Sequence, residues 1–468
     1  MSGADSQRTS IAAKSRTGSE PVRPSIFRAY PLYKNSGVQW LEKIPAHWDM
    51  ARTKFSARLR SGHTPSRQHP EYWQDCTIPW FGLADVWQIR DGQVEYVVDT
   101  AEKISPLGLA NSAARLLPSG TVILSRTASV GFSAIMGVDM ATTQDFVNWV
   151  CGPRLRAEYL LYVFRSMQSE FRRLTMGSTH QTIYMPDVGR FSTPQPSLPE
   201  QDRIVAFVRE QSQRIHALVA KKERLIELLH ERRAALIARV VTNGLNSTIP
   251  MNESGIKWLG RIPDHWDVKR LWHLTPSDRR IMYGIVLPGP NVEDGIPIVK
   301  GGDVNSERLR LECLSRTSRE IESGYVRSRL RGGDLVFAIR GSIGEVAMIP
   351  EELEGANLTQ DAARVAYVPA IHGPWLLYAL KSASVFAQLD AGALGATIRG
   401  INIRDLKRVS LPVPPRQEQE GIAAFLYTKT AQIDVLVAKV RNAIERLKEL
   451  RTSLISAAVT GKIDIRGA

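Results

Sequence analysis

The chain has 468 residues, with 61 Lys or Arg against 47 Asp or Glu, a formal net charge of +14 and a sequence pI near 9.8. That length suggests two or three domains with cores of their own, and the basic excess points to a polyanionic partner, nucleic acid ahead of a membrane surface. No apolar run reaches transmembrane length, and three scattered cysteines (Cys76, Cys151, Cys313) without a CxxC pair argue against a disulfide scaffold or cysteine zinc site and fit a reducing cytoplasm.

Residues 1–29 are rich in Ser, Arg and Gly, lack a signal-peptide apolar core, and are expected to be a disordered tail. Next comes "SGVQWLEKIPAHWD" (36–49), which returns as "SGIKWLGRIPDHWD" (254–267), 218 positions on, with nine of fourteen residues identical. Such a match calls for a repeat, and sliding the chain against itself extends it. "IPWFGLADV" (78–86) falls on "IPIVKGGDV" (296–304), "GTVILSRTASVG" (120–131) on "GDLVFAIRGSIG" (333–344), and "TQD" (143–145) on "TQD" (359–361). "LLYVFRS" (160–166) meets "LLYALKS" (376–382). The offset drifts only inside each half, so the length changes belong in surface loops, where function is usually carried. The runs "TVILS", "FSAIM" and "FVNWVC" predict short buried strands, and helices are expected around 156–173 and 374–389.

Each half closes with a long helix, starting at "PSLPEQ" (196–201) and "VPPRQEQ" (413–419), nearly free of Pro and Gly for about forty residues and so about 60 Å long. Spacings of four and three residues place Ile204, Val208, Ile215, Leu218, Leu225, Leu229 and Leu236 on one stripe. Ile422, Leu426, Ile433, Leu436, Val440, Leu447, Leu450 and Leu454 form the other. Gly244 and Gly461 stand where helix stops belong. The stripes predict that the helices pair, antiparallel if they hold globular units at opposite ends; the alternative is that each packs on its own domain. The fold class expected is α+β: two mixed α/β domains in tandem repeat, each followed by a long helix, the helices pairing as an antiparallel coiled coil. The divisions are a tail over 1–29, a globular domain over 30–195, a helix over 196–245, a second domain over 246–411, and a helix with C-terminal tail over 412–468.

Catalytic patterns are missing. There is no P-loop, no Asn-Pro-Pro-aromatic motif, no Ser/His/Asp signature and no G-x-S-x-G elbow. "PDHWDVK" (263–269) has the carboxylates and Lys of a metal-dependent nuclease, but the first copy, "PAHWDMA", lacks the partners of Asp264 and Lys269. His63, His69 and Cys76 offer metal-ligating groups with no counterpart in the second half. No metal and no catalytic residue is assigned.

The duplicated "GxxWLxxIPxHW", the run from "SGHTPSRQHPEYW" to "IPWFGLADV" (61–86), "SRTASVG" with "IRGSIG", and the helix starts "LPEQDRI" and "RQEQEGI" together resemble the specificity subunit of Type I restriction-modification enzymes. The resemblance runs from about residue 30 to the end. It implies two target-recognition domains, each reading half of an asymmetric, bipartite double-stranded DNA site. It implies paired helices that set the gap and dock two methyltransferase (modification) subunits, alongside ATP-dependent restriction and translocation subunits. S-adenosylmethionine, ATP and Mg would belong to those partners, and this chain would hold no cofactor. The opening of the second domain, "RRIMYGIVLPGPNVEDG", departs from the pattern by lacking the Thr-Pro and Tyr-Trp of the first. Two readings of another class stay open: a DNA enzyme with an unrecognised site, and a coiled-coil scaffold with incidental charge.

Base readers should be polar loop residues that differ between the halves, since Arg suits guanine and Asn or Gln suits adenine. In the first domain these are Arg67, Gln68, Arg90, Arg126, His180 and Gln181. In the second they are Arg279, Arg280, Lys300, Arg308, Arg340, Arg399 and Asn402. Arg126 and Arg340, on the same strand-turn segment, suit a shared phosphate contact. Trp40 and Trp258, in the duplicated motif, are expected to be anchors rather than base contacts.

Overall fold

A computed structural model describes residues 27–175, 181–305, 307–392 and 400–467. The chain divides into two units, the first joining Met1–Val219 to Glu445–Ala468 and the second running over Ala220–Ile444.

In the first unit a five-stranded sheet has the order Ala57–Ser61, Phe146–Cys151, Val122–Ser125, Ser133–Met136 and Tyr96–Val97. All its pairings are antiparallel except the last. Alternate side chains point to opposite faces of a strand, and this sheet buries both. Val122, Leu124, Ile135, Val147 and Trp149 enter a core with the helix Ala157–Ser166, while Ile123, Ala134, Met136 and Phe146 enter another with Phe81, Val86 and Ile89. That is why "VIL" (122–124) reads as an unbroken apolar run. A smaller sheet sets Ile78–Phe81 between Ala141–Thr142 and Lys103–Ile104.

The second unit repeats the plan. Leu335–Ala338 lies between Val346–Met348 and Ala362–Val365, and Ile296–Val299 lies between Ser315–Thr317 and Asn357–Leu358. Leu335 and Phe337 face one core; Val336 and Ala338 face the other. In both units the small sheet holds one parallel pairing, Phe81 with Thr142 and Val299 with Leu358. The helices expected as single rods are each broken in two, Ala157–Ser166 from Gln168–Thr175 and Gly373–Leu380 from Ala383–Gly392. At the breaks Ser166 and Ser382 donate their hydroxyls to the carbonyls of Val163 and Ala379, both at 2.7 Å. Such local bonds compete with helix continuation.

The long helices span Leu198–Asn243 and Arg416–Val459. In the first unit Ile204, Val205 and Val208 share a core with Ile455, Ala458 and Val459; in the second Ile422, Ala423 and Leu426 share one with Ile237, Val240 and Val241. Within each unit, then, the start of one helix lies with the end of the other, the antiparallel arrangement, and both join the core of the globular domain. Pairing and packing on the domain both occur.

The facing stripe differs from the expected one. Leu218, Leu225, Leu436 and Leu450 are exposed, 43–48% each, and do not serve as pairing positions. The governing repeat is eleven residues: Ile204, Ile215, Ile226 and Ile237 in one helix, Ile422, Ile433, Ile444 and Ile455 in the other. Seven of these eight are buried and Ile226 is half-buried. Eleven residues over three turns is 3.67 per turn, against 3.5 for a heptad. A heptad frame therefore slips off the buried face by about one third of a position every two turns, a full position in roughly six turns, and its sites move from Val219 to Leu218 and from Val437 to Leu436. Leu229, Leu236, Val440, Leu447 and Leu454 stay at its half-buried margin.

The duplicated motif fastens these helix ends. In the first unit Ile44 and Trp48 are fully buried, and His47 Nε2 lies 3.2 Å from Glu200 in the first turn of the first helix. Glu200 also accepts the Tyr30 hydroxyl at 2.7 Å. At the end of the second helix Gly461, at φ 70°, fits against Pro45 and Trp48 so closely that a Cβ would overlap the proline ring. In the second unit His265 Nε2 and Trp266 Nε1 bond Glu418 at 2.6 and 3.0 Å, and Gly244, at φ 75°, sits against Trp266. Each copy thus grips the start of one helix and the stop of the other. Trp40 donates to the Ser192 carbonyl at 3.3 Å, an anchor; Trp258 stays 41% exposed beside Lys257.

The repeat is broken at one charged position. Arg233 pairs with Asp434 at 3.5 Å in the second unit. The residues 218 positions from each are Arg451 and His216. In the first unit Arg451 instead donates to the carbonyls of Asp91 and Gly92, and the buried His216 Nε2 has no partner among the described residues. Burial and the Arg451 charge hold the His216 imidazole below its usual pKa.

Candidate nucleic-acid interface

In the first unit four segments converge at one edge of the two sheets. The 62–68 loop leaves its strand at Gly62, whose Cα lies against the backbone of Thr142 and Thr143 with no room for a Cβ. His63 N–H donates to the Thr142 carbonyl at 3.0 Å, and Thr64 Oγ1 to Gln144 Oε1 at 2.6 Å. The second segment is the Thr143-Gln144-Asp145 turn, closed by Thr143 Oγ1 on Asp145 Oδ2 at 3.0 Å. The third is the 126–131 turn, where Ala128 takes φ 58°, a region that disfavours a Cβ. Arg126 ties it together, with Nε on the Gln144 carbonyl at 3.1 Å and Nη1 on the Ile183 carbonyl at 3.4 Å. The fourth, from Gln181, closes by the Ala128 N–H to Gln181 carbonyl bond at 2.9 Å.

The second unit builds the same frame from different side chains. Gly284 takes the place of Gly62, its Cα pressed on the Leu358 carbonyl, so the departing "MYGIVLPG" stretch keeps the one glycine the packing needs. Thr359 and Asp361 repeat the hydroxyl–carboxylate turn at 3.4 Å. Gly341, at φ 72°, stands where Ala128 does. Asp303 caps the Lys300 N–H at 3.0 Å as Asp85 caps that of Gly82 at 2.9 Å. Ile401 N–H donates to the Ile339 carbonyl at 2.8 Å, setting Gly400 where a Cβ would stand 3.5 Å from Arg340 Cγ.

The expected readers sort accordingly. Arg67, Gln68, Arg126 and Gln181 gather on the first frame. Arg67, Gln68 and Gln181 are exposed, whereas Arg126 is half-buried and spends two side-chain donors on backbone carbonyls. Arg90 is exposed but stands apart, lining a cavity of about 230 Å³ with Phe132, Arg165 and Arg451. Arg165 there donates to the Gly92 and Val94 carbonyls, and burial pushes its guanidinium down to about 10, still protonated at neutral pH. Lys300 and Arg340 gather on the second frame, with Lys300 Nζ 2.8 Å from Ser315 Oγ. Arg308 is exposed, 3.9 Å from Asp303. Arg280 is exposed and bonds the Ser277 carbonyl. Asn402 lends its side-chain oxygen to the Arg404 N–H and so caps the helix Ile403–Arg408. Arg279 is a correction: it makes a two-pronged pair with Asp334 at 3.0 and 2.6 Å, with only 16% and 5% of the two side chains exposed. A charge so enclosed is a structural tie, because exposing it to DNA would strand the buried Asp334. His180 and Arg399 lie outside the described residues.

Thr64, Gln144 and Gln360 were not singled out by sequence, although the two copies of "TQD" mark where Gln144 and Gln360 sit. Among the described residues no three His, Cys, Asp or Glu side chains are grouped to hold a metal ion, and no described helix is long and apolar enough to cross a membrane.

The Type I restriction modification DNA specificity domain matches twice, over residues 48–228 and 290–446, a half-and-half placement that follows the two frames. The chain belongs to the Type I specificity family. Its relatives include the EcoBI specificity subunit of Escherichia coli, 27% identical over 277 residues and 58% of each chain. The EcoKI specificity subunit of Escherichia coli K12 is 24% identical over 90% of each. The MjaIX specificity subunit of Methanocaldococcus jannaschii is 26% identical over 49% of this chain, and the matched region spans about half the length of that relative. Among solved structures, a chain from work on assembly and conformational transition of the type I R-M system superposes with a TM-score of 0.64 at 19% identity. That match covers 90% of this chain and 99% of the other. The HsdS subunit of Thermoanaerobacter tengcongensis superposes at 0.51, with 18% identity, over 92% and 100%. These likenesses carry the family fold: two target-recognition domains and two long helices.

Proposed function

We propose that this member of the Type I specificity family is the non-catalytic DNA-reading subunit of a restriction-modification complex. Each frame reads one half of a bipartite, asymmetric site in double-stranded DNA. The paired helices set the gap between halves and dock two methyltransferase subunits, to which ATP-dependent translocation and cleavage subunits are added. S-adenosylmethionine, ATP and Mg belong to those partners. One observation carries the reading: two frames share backbone closures around Gly62 and Gly284 and around the two Thr-Gln-Asp turns, yet present different exposed side chains. That is the arrangement expected of two readers with different texts, where phosphate contacts position and base-edge contacts specify. Affinity should fall steeply with salt as Arg and Lys displace counterions from phosphates.

The test is to map methylated bases in a host expressing the chain with its methyltransferase, before and after deleting one eleven-residue repeat from each long helix. The expected result is a two-part motif whose gap changes while both half-sequences stay. An unchanged gap refutes the spacing role, and a one-part motif refutes the two-reader assignment. Purified chain given DNA, S-adenosylmethionine and Mg should show no turnover.

A further inference from the structure

We propose that Arg67 is a specificity-determining residue that reads a guanine edge in the half-site taken by the first unit; this rests on the DNA-reading role proposed above. Its side chain is 59% exposed yet held on two sides. The guanidinium carbon lies 3.6 Å from the centroid of the Trp73 ring, and one terminal nitrogen lies 2.6 Å from Glu102 Oε2. The stacking platform is itself fixed to the loop that carries the arginine. Trp73 Nε1 donates to the Ser66 carbonyl at 3.2 Å, and its ring meets Trp80 edge-on at 5.5 Å. The buried Trp80 in turn donates to the His63 carbonyl at 3.1 Å. Arg67 thus starts from a fixed pose in the free protein, without the large rotamer freedom an unheld arginine must lose on binding.

The brace also discriminates between the two things an exposed arginine can touch on DNA. A guanidinium carries five N–H donors in one plane, and Glu102 occupies one edge, leaving a parallel pair that matches guanine O6 and N7. For a phosphate the arrangement is poor. The Glu102 carboxylate almost cancels the Arg67 charge at longer range and repels a phosphate directly. A neutral base edge offers only acceptors and gains from an oriented fork, so orientation kept at the expense of net charge favours the base. Among the described residues the corresponding frame in the second unit has no such stacked pair, as two half-sites of different sequence require.

The experiment uses the full chain with its methyltransferase subunits and a panel of duplexes in which every base pair of both half-sites is varied in turn. Arg67→Ala should lower discrimination about ten- to a hundredfold at a single G·C pair of one half-site, leaving the other half-site as it was. The slope of log K against log salt should stay within a fraction of a unit of wild type. Arg67→Lys keeps the charge without the fork and should not restore discrimination. Glu102→Gln should loosen it at the same base pair while tightening binding to all sequences. The assignment is overturned if Arg67→Ala weakens all duplexes equally and reduces the salt slope by about one, the behaviour of a phosphate contact. It is also overturned if both Arg67 variants retain wild-type discrimination while wild type itself reads both half-sites. A wild-type complex that discriminates at neither half-site overturns the DNA-reading role as well.

Discussion

The duplicated clamp offers a matched pair of perturbations, Glu200→Ala and Glu418→Ala, in which the same motif residue is removed from two settings. Glu200 keeps 6% of its side chain exposed and accepts from Tyr30 and His47; Glu418 keeps 37% and accepts from His265 and Trp266. Burial and the Glu200 carboxylate push the Tyr30 phenol far above its ordinary pKa, so it stays a neutral donor. Removing Glu200 leaves that hydroxyl, on a residue only 3% exposed, without an acceptor. A lost hydrogen bond to a charged group and a stranded buried donor together cost about 3 kcal/mol. At Glu418, where the carboxylate is open to solvent, water can replace it for His265 and in part for Trp266, itself only 5% exposed, and about 1 kcal/mol is expected. Since about 1.4 kcal/mol is a factor of ten in an opening equilibrium, amide exchange in the first turns of the helix should rise roughly a hundredfold at Leu198 and onward but only about fivefold near Arg416. Hydrogen exchange on the two helix starts reads both within one chain and avoids assuming two-state unfolding. If Glu418→Ala loosens its helix as much as Glu200→Ala does, burial is not what distinguishes the two clamps and the reasoning fails.

Further expectations concern the frames and the helix pair. Gly62→Ala and Gly284→Ala each force a Cβ onto a backbone carbonyl, of Thr143 and Leu358 respectively. Methylome mapping should show each abolishing recognition of one half-sequence, a different half for each variant. Glu418 raises the His265 pKa, so the contact stabilises the second clamp below the unfolded value of about 6.5 and is lost as pH rises through the folded pKa. NMR titration of His265 should show the raised midpoint and its fall in Glu418→Gln, with Asp264 still holding part of the rise. His216→Asp gives Arg451 the partner that Arg233 has in Asp434; exchange at Asp91 and Gly92 should quicken as the arginine leaves their carbonyls, while helix amides around 216 slow.

Much of this was legible in the sequence because repetition is independent of context. The two motif copies, the strand runs "TVILS", "FSAIM" and "FVNWVC", and the paired helices lie where pattern placed them. The heptad frame failed for a local reason: Ile204, Ile215, Ile226 and Ile237 recur every eleven residues, and alternating steps of four and three resemble that period for only two or three turns. The helix breaks at Ser166 and Ser382 depend on hydroxyls whose choice of acceptor has no periodic signal. Arg279 was misread because nothing in "SDRRIM" shows that Asp334, far along the chain, closes over one arginine and leaves its neighbour Arg280 open. At the candidate interface, exposure and hydrophilicity suggested side chains one at a time, whereas Arg67 is distinguished by Trp73 and Glu102, a grouping visible only once the loop is folded.

The split core of the first unit bears on how the chain is made. The core holding Tyr30, Trp48 and Tyr159 also contains Ile455, Val459, Ile463 and Ile465. A ribosome adding ~5–20 residues per second needs roughly 10–50 s to get from residue 219 to residue 445, and throughout that interval the earliest-made part lacks one wall. The second unit is contiguous and can close first. A nascent first unit therefore waits with greasy surface bare, which makes it the part most in need of a chaperone and the first to suffer from a late stop codon.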